Sequence, residues 1–264
     1  MLSVHTNPAA LTAQNSLGTN NSLMTQAMER LSTGLRINSA ADDAAGLQIA
    51  TRLNANVTGM QQASRNVSDA TSMLQTADGA LDELSNIALR QKELATQAAN
   101  GVNSTSDLAA LDDEFQELIA ETDRILTETT YSGNNLFDVL NAGVSFQIGA
   151  GANETLDVQL NAITNVGGDL TLDPTAAITE IDGFLDAVGT ERSTLGANIN
   201  RLGHTASNLA NVTENTIEAA GRIMDADFAV ESANMTKNQL LVQAGTTVLS
   251  NANQNTGLVM GLLR

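Results

Sequence analysis

Between Ile49 and Ala88, apolar residues recur at alternating steps of four and three. The stripe is Ile49, Leu53, Met60, Ala63, Val67, Ala70, Leu74, Ala77, Leu81, Leu84 and Ala88, with Asn56 as its polar exception. A period of 3.5 residues holds such a stripe on one face of a left-handed coiled coil. The pattern predicts a single helix from about Asp43 to Ala99, roughly 80 Å long at 1.5 Å per residue. Alanines at Ala63, Ala70 and Ala77 predict close approach of a partner helix. Gly59 and Gly79 each weaken a helix by about 1 kcal/mol relative to alanine, and they mark candidate tight contacts.

The run from Asn100 to Asn103 is a turn signal, and Ser104 to Ser106 offer N-caps ahead of Asp107. A second helix follows, with Leu108, Leu111, Phe115, Leu118, Thr122 and Ile125 at the same spacing, folding back antiparallel on the first. After the turn signal at Tyr131–Asn135, the stretches Leu136–Leu140, Val144–Ile148 and Leu156–Leu160 are predicted as short strands of a hairpin region spanning 131–175. A third helical pattern starts at Ile178 and runs through Ile181, Leu185, Val188, Leu195, Ile199, Leu202, Ala206 and Leu209, interrupted only by Arg192. Its register then drifts through Ile217, Ala220 and Met224 toward the C-terminal tail.

Both tails keep the heptad. Leu17, Met24 and Leu31 repeat every seven residues, and Met24, Met28, Leu31 and Leu35 form one stripe. At the other end Met235, Val242, Leu249 and Leu263 fall on one heptad line, broken by Thr256, with Leu241, Val248 and Leu262 beside it. The expected fold is mainly α. It is a long antiparallel coiled-coil-like helical bundle with paired terminal helices and a small β-hairpin region. Residues 1–42 and 225–264 are expected to form a discontinuous terminal-helix inner core domain, and 43–224 a long-helix rod domain.

Charge sharpens this picture. No Asp, Glu, Lys or Arg occurs from Met1 to Met28 or from Asn238 to Leu263, so the formal net charge of −18 sits between two silent tails. A solvated coiled coil carries charges beside its seam; here the flanks are Gln, Asn, Ser and Thr, which lets a helix pack on several neighbours at once. Aromatic residues make up only 2% of the chain, so Ala, Leu, Ile and Val must fill the interior, which suits thin helix–helix seams. A sequence pI near 4.2 argues against nucleic acid and against electrostatic docking to anionic membranes. The absence of cysteine removes disulfides and thiolate metal sites. The first residues have neither the basic start nor the apolar run of a secretory signal. No stretch approaches the ~20 apolar residues of a membrane helix.

Candidate chemistry is sparse. His5 and His204 lie in different segments, outside any metalloprotease-type motif, and fit ordinary surface or helix-face histidines. Asp42-Asp43 and Asp112-Asp113-Glu114 fit helix-start charge and a solvated face better than a cation site. Gly149-Ala150-Gly151 lacks the lysine and following helix of a phosphate loop and fits a hairpin turn. Met24, Met28, Met235 and Met260 fit packing within an assembled core rather than an adaptable groove. No catalytic residue, metal or cofactor is expected. Serines and threonines near Thr127–Ser132 and Asn161–Thr175 carry no positive signal for glycosylation.

Several blocks resemble bacterial flagellin in order along nearly the whole chain. They are Leu31-Ser32-Thr33-Gly34-Leu35-Arg36-Ile37-Asn38-Ser39-Ala40 with Asp42-Asp43-Ala44-Ala45-Gly46-Leu47, then Glu93-Leu94-Ala95 with Gln97-Ala98-Ala99-Asn100-Gly101. Phe146-Gln147-Ile148-Gly149-Ala150 follows. The last runs from Asp225-Ala226-Asp227-Phe228 to Gln243-Ala244-Gly245-Thr246, before the closing Leu262-Leu263-Arg264. The resemblance implies that the chain ends pair as helices in the innermost layer of a filament, around a narrow export channel. The long helices would form the next layer, with a β-hairpin on its outer side. Where larger flagellins insert outer domains, this chain has only about Asn161 to Thr175, so a thin, comparatively smooth filament is implied.

The resemblance further implies a swimming-motility filament outside the cell. Its subunits leave unfolded by a flagellar type III route without a cleaved signal peptide and fold at the distal tip. The implied partners are other copies of the chain in a helical homopolymer, an export chaperone on the C-terminal segment, and filament cap and hook-junction proteins; nucleic acid and membrane insertion are not among them. The self-assembly core would comprise Leu17, Met24, Met28, Leu31, Leu35, Met235, Val242, Leu249 and Leu263. Some flagellins are detected by Toll-like receptor 5 through the first long helix and the one after it; the matching positions are Arg90, Leu94 and Glu114. Lys92 and Thr96 depart from the commoner arginine and valine there, and Arg90 and Glu114 equally fit an interhelical or intersubunit ion pair. The alternatives are a hook–filament junction protein and a secreted immune-receptor ligand or adhesin. Phe146–Ala150 favours the filament subunit over the junction protein. An enzyme is the weakest rival.

Overall fold

The computed structural model describes residues 7–262, with side chains described through Gln254. The elements are α1 (Pro8–Thr33), α2 (Ala44–Ala98), α3 (Thr105–Glu128), β1 (Thr130–Tyr131), β2 (Asn134–Asn135), α4 (Leu136–Ala142), β3 (Val144–Gln147), β4 (Thr155–Val158), α5 (Pro174–Met224) and α6 (Phe228–Leu262). They belong to two compact units: a terminal unit, Met1–Ala55 with Thr216–Arg264, and a central unit, Asn56–Asn215. The fold is mainly helical, with two small antiparallel β pairs.

The central unit is built around the α2 seam. Met60, Ala63, Val67, Ala70, Leu74, Ala77, Leu81, Leu84 and Ala88 are all buried, as the 3.5-residue period requires. α3 returns against this face through Phe115 and Thr122, both buried, with Leu108, Leu111, Leu118 and Ile125 packed beside them. Its start carries a full capping box: the Ser104 hydroxyl oxygen accepts from the Asp107 N–H, and the Asp107 carboxylate accepts from the Ser104 N–H. α5 supplies the third face with Ala177, Ile181, Phe184, Val188, Leu195 and Leu202. Arg192, the break in the α5 seam, bridges to Asp78 at 3.0 Å and Asp82 at 2.7 Å on α2. Gln91 lies fully buried on α2, and neither its amide oxygen nor its amide nitrogen has a hydrogen-bond partner.

The hairpin region departs from expectation at its start. Leu136–Leu140 is not a strand: it forms most of α4. Asn135 caps it by accepting from the Asp138 N–H at 2.9 Å, while its amide donates to the carbonyls of Leu126 and Thr127. Leu136, Phe137 and Leu140 are all buried, a helical spacing that alternation cannot satisfy. The expected strands at Val144–Ile148 and Leu156–Leu160 do pair, in slightly shorter form, with Val144 opposite Val158 and Gln147 opposite Thr155. The turn between them lies against α2, where a side chain on Gly59 would approach the Ala150 methyl to 2.9 Å. Gly79 meets nothing within 4 Å, so only the first of the two α2 glycines marks a tight contact.

α5 starts a turn earlier than expected, at Pro174 rather than Ile178. Proline suits the first helical position, and the Asp173 carboxylate accepts from the N–H groups of Thr175 and Ala176.

In the terminal unit α1 and α6 lie side by side and antiparallel. The Asn7 amide donates to the Ala252 carbonyl at one end, and Arg30 pairs with Glu231 at the other. α1 ends at Gly34, whose φ of 76° is the left-handed conformation that favours glycine. Beyond it Leu35 forms an isolated antiparallel bridge with Asp225, and the Arg36 guanidinium donates to the Ile223 carbonyl. The α2 stripe shifts by one residue within this unit: Ala50 is buried while Ile49 is exposed. Asp42 ties down the intervening loop by accepting from the N–H groups of Asn38 and Ser39, which hold its carboxyl below the usual range, the Ser39 N–H contributing most.

Candidate assembly surface

Position along α1 decides which tail residues the pair covers. Ala10, Ala13, Leu17, Asn20, Met24, Ala27 and Leu31 follow one another at steps of three and four, and all are partly or fully covered. Met235, Asn238, Val242, Gly245, Leu249 and Ala252 do the same on α6. Leu17 and Gly245 meet closely: a Cβ on Gly245 would lie 3.3 Å from Leu17 Cδ1. The seam therefore takes up Leu17, Met24, Leu31, Met235, Val242 and Leu249, with Leu35 partly covered past the end of α1. Met28 is placed differently, 44% exposed and off the paired face. Leu263 and His5 lie outside the described residues, as do the side chains of Thr256, Met260 and Leu262.

A second set of aliphatic residues is left uncovered. Leu11 and Leu23 on α1, with Val230, Leu240, Leu241 and Val248 on α6, are exposed, Leu240 to 61% and Val248 to 56%, and the aromatic Phe228 is exposed as well. Beside them an open groove of about 610 Å³ is lined by Pro8, Thr12, Leu17, Leu241, Gly245 and Val248, among others. Between Pro8 and Met28 on α1, and from Asn238 onward on α6, no charged side chain interrupts this face. Sequence periodicity alone passes over Leu11, Leu23 and Leu240. The available signal was adjacency: in Leu240-Leu241-Val242 three consecutive apolar residues cannot all enter one seam.

In the central unit the structure brings Arg90 and Glu114 together and buries Leu94. The Arg90 guanidinium donates from Nε and Nη2 to Glu114 Oε1 at 3.0 and 2.7 Å, and from Nη1 to Glu93 at 2.9 Å. Glu114 first and Glu93 second hold the Arg90 guanidinium above its ordinary value. Leu94 is 1% exposed and packs inside. Among the described residues no three His, Asp or Glu gather as a metal site, and no helix is long and apolar enough to cross a membrane.

Comparison with known proteins gives the family of the chain. Residues 4–142 match the bacterial flagellin N-terminal helical region, and residues 178–263 match the bacterial flagellin C-terminal helical region. The chain is 42% identical over 270 residues to flagellin of Halalkalibacterium halodurans, covering 99% of both chains. It is 39% identical over 312 residues to flagellin of Xenorhabdus nematophila and 38% identical over 285 residues to flagellin of Listeria monocytogenes, again covering 99% of each. Among solved structures, Bacillus cereus flagellin is 34% identical, covering 55% of this chain and 88% of that one, with a TM-score of 0.48. With helical regions matched at both ends and relatives aligned from end to end, the chain belongs to the bacterial flagellin family.

Proposed function

We propose that the uncovered aliphatic face of the α1/α6 pair is the joint through which this flagellar filament subunit meets its neighbours. The family is a structural one whose members self-assemble into the extracellular flagellar filament. The observation that carries the finer reading is the exposure of Leu11, Leu23, Leu240, Leu241 and Val248 on the stretches of α1 and α6 that carry no charge. Exposed aliphatic surface of this kind gains about 25 cal/mol for each Å² removed from water, and lack of charge lets copies crowd together without repulsion. Residues 1–42 and 225–264 are then the inner core of the polymer and 43–224 its outer layer. Leu17, Met24, Leu31, Leu35, Met235, Val242 and Leu249 shape the joint from within, and Met28 contributes to it directly.

The same surface explains the partners. A tail presenting unpaired aliphatic heptads self-associates unless covered, which supports a chaperone on the C-terminal segment, passage through the flagellar export route and capture under a filament cap. Hook-junction proteins meet the same joint at the filament base. The chain acts by polymerising and not by catalysis. Detection by Toll-like receptor 5 would engage the exposed Arg90–Glu114 pair, with Leu94 supporting it from beneath.

The test is seeded growth. A Leu240→Ser/Val248→Ser chain is expected to stay soluble and helical while failing to extend sheared filament seeds, scored by electron microscopy. Extension at the parent rate would refute the assigned joint.

A further inference from the structure

The chain holds a single Asn-Gly pair, Asn100-Gly101, at the exposed corner between α2 and α3. An asparagine side-chain amide is open to attack by the backbone nitrogen of the next residue. Glycine in that next place has no Cβ to block the approach and leaves the backbone free to turn toward it. Further observations mark this pair. The Gly101 N–H makes no hydrogen bond among the described residues, so its nitrogen is not committed elsewhere. A Cβ on Gly101 would meet nothing within 4 Å, so solvent reaches the peptide. Asn100 Oδ1 accepts from the Val102 N–H at 3.4 Å, which folds the side-chain carbonyl over the Gly101 peptide and polarises it. The same N–H stands where negative charge gathers on that oxygen during attack.

The four Asn-Ser pairs, whose second residue is also small, are held shut. In α1, Asn15-Ser16 and Asn21-Ser22 have the following N–H committed to the helix. The Ser39 N–H, after Asn38, donates to Asp42 at 2.9 Å. The Ser104 N–H, after Asn103, donates to Asp107 at 3.0 Å. The Asn103 amide is itself spent on the carbonyls of Gln97 and Ala98, at 2.6 and 3.3 Å. One corner thus carries an open asparagine and a protected one.

We infer that Asn100-Gly101 is a site of spontaneous deamidation. Loss of the Gly101 amide proton to water or hydroxide lets the nitrogen bond to Asn100 Cγ. The Cγ–Nδ2 bond then breaks, and ammonia leaves with a proton from solvent as a cyclic succinimide closes. Water opening the ring at the side-chain carbonyl restores the normal peptide and leaves aspartate. Water opening it at the main-chain carbonyl leaves isoaspartate, with the chain running through the former side chain. Water enters, ammonia leaves, and nothing is oxidised or reduced. Either product sets a carboxylate beside the C-terminal end of α2, where the helix dipole disfavours it. Isoaspartate also adds a methylene to the backbone just before the Asn103 bonds that close the last turn of α2. The corner therefore loosens as the subunit ages.

The test ages the full chain in mildly alkaline buffer, folded and in urea. Peptides are mapped by mass spectrometry, and isoaspartate is labelled with an isoaspartyl methyltransferase. In the folded chain conversion should concentrate at Asn100 and give both aspartate and isoaspartate, while Asn103 stays intact. In urea Asn103 should convert as well. Gly101→Val should lose the conversion at Asn100 with helix content unchanged, since Gly101 has no positive φ and its new side chain meets open space. Conversion at Asn100 no faster than at Asn103 in the folded chain would overturn the site. So would an unchanged rate in Gly101→Val, or aspartate without isoaspartate, the mark of direct hydrolysis. Equal survival of Asn103 folded and in urea would overturn the protection assigned to its bonds and to Asp107.

Discussion

Gln91 occupies a position on α2 that an aliphatic residue would fill at less cost. Both polar atoms of its amide are buried without a hydrogen bond, which costs about 1–3 kcal/mol. Replacing it with leucine removes that penalty and keeps the volume close. Gln91→Leu is expected to stabilise the central unit by about 1–2 kcal/mol, read as a rise in the denaturant midpoint with the slope unchanged. Asp107 gives the opposite case. Its carboxyl is held below the ordinary range, first by the Ser104 hydroxyl and then by the Ser104 N–H. A carboxyl whose pKa falls on folding stabilises above its unfolded value, and that contribution is lost as pH falls through the folded one. Asp107→Asn should therefore unfold at lower temperature than the parent at neutral pH, and the gap should close below about pH 4. Thermal melts of both chains across that range check it.

Among the elements, α4 teaches most. Asn135 both caps this short helix and ties it back to the end of α3, so its side chain holds two elements in place. Asn135→Ala should lower the stability of the central unit by about 1–2 kcal/mol, seen as a lower thermal midpoint with helix content nearly unchanged. The long seams of α2 and α5 were legible in the sequence because many turns repeat one period, so single exceptions such as Asn56 or Arg192 do not obscure it. Arg192 became intelligible only once Asp78 and Asp82 were seen on the facing helix. Leu136–Leu140 was not legible as a helix because five apolar-rich residues fit either period, and the deciding facts, the Asn135 cap and three-way burial, are tertiary. Leu35 was likewise open to the sequence as part of a stripe, while its bridge to Asp225, like the Arg36 bond to the Ile223 carbonyl, depends on residues far along the chain.

At the scale of the whole molecule, most of the acidic charge lies in the central unit, while the stretches free of charge lie at the two ends. The uncharged tails carry the exposed aliphatic face, while the central unit carries most of the acidic residues and a closed interior of its own. Removing residues 1–28 or 238–264 should accordingly leave a soluble, monomeric, largely helical protein. Sedimentation and circular dichroism would check the fragment, and seeds should not grow from it. The sequence made this division visible through charge alone. It could not distinguish the tail residues that pair within one chain, such as Leu17 and Val242, from those left facing outward, such as Leu241 and Val248, because both sets repeat every seven residues. Only the packed antiparallel pair sorts them.

The neutrality of that outward face also bears on the water in which the filament works. Dissolved ions weaken attraction between opposite charges within about a Debye length, but they do not weaken contact between aliphatic groups, and strongly hydrated anions reinforce it. The acidic central region, by contrast, repels other copies most in dilute media, and there brine relieves it. A polymer joined in this way is expected to grip at least as firmly in saline as in fresh water.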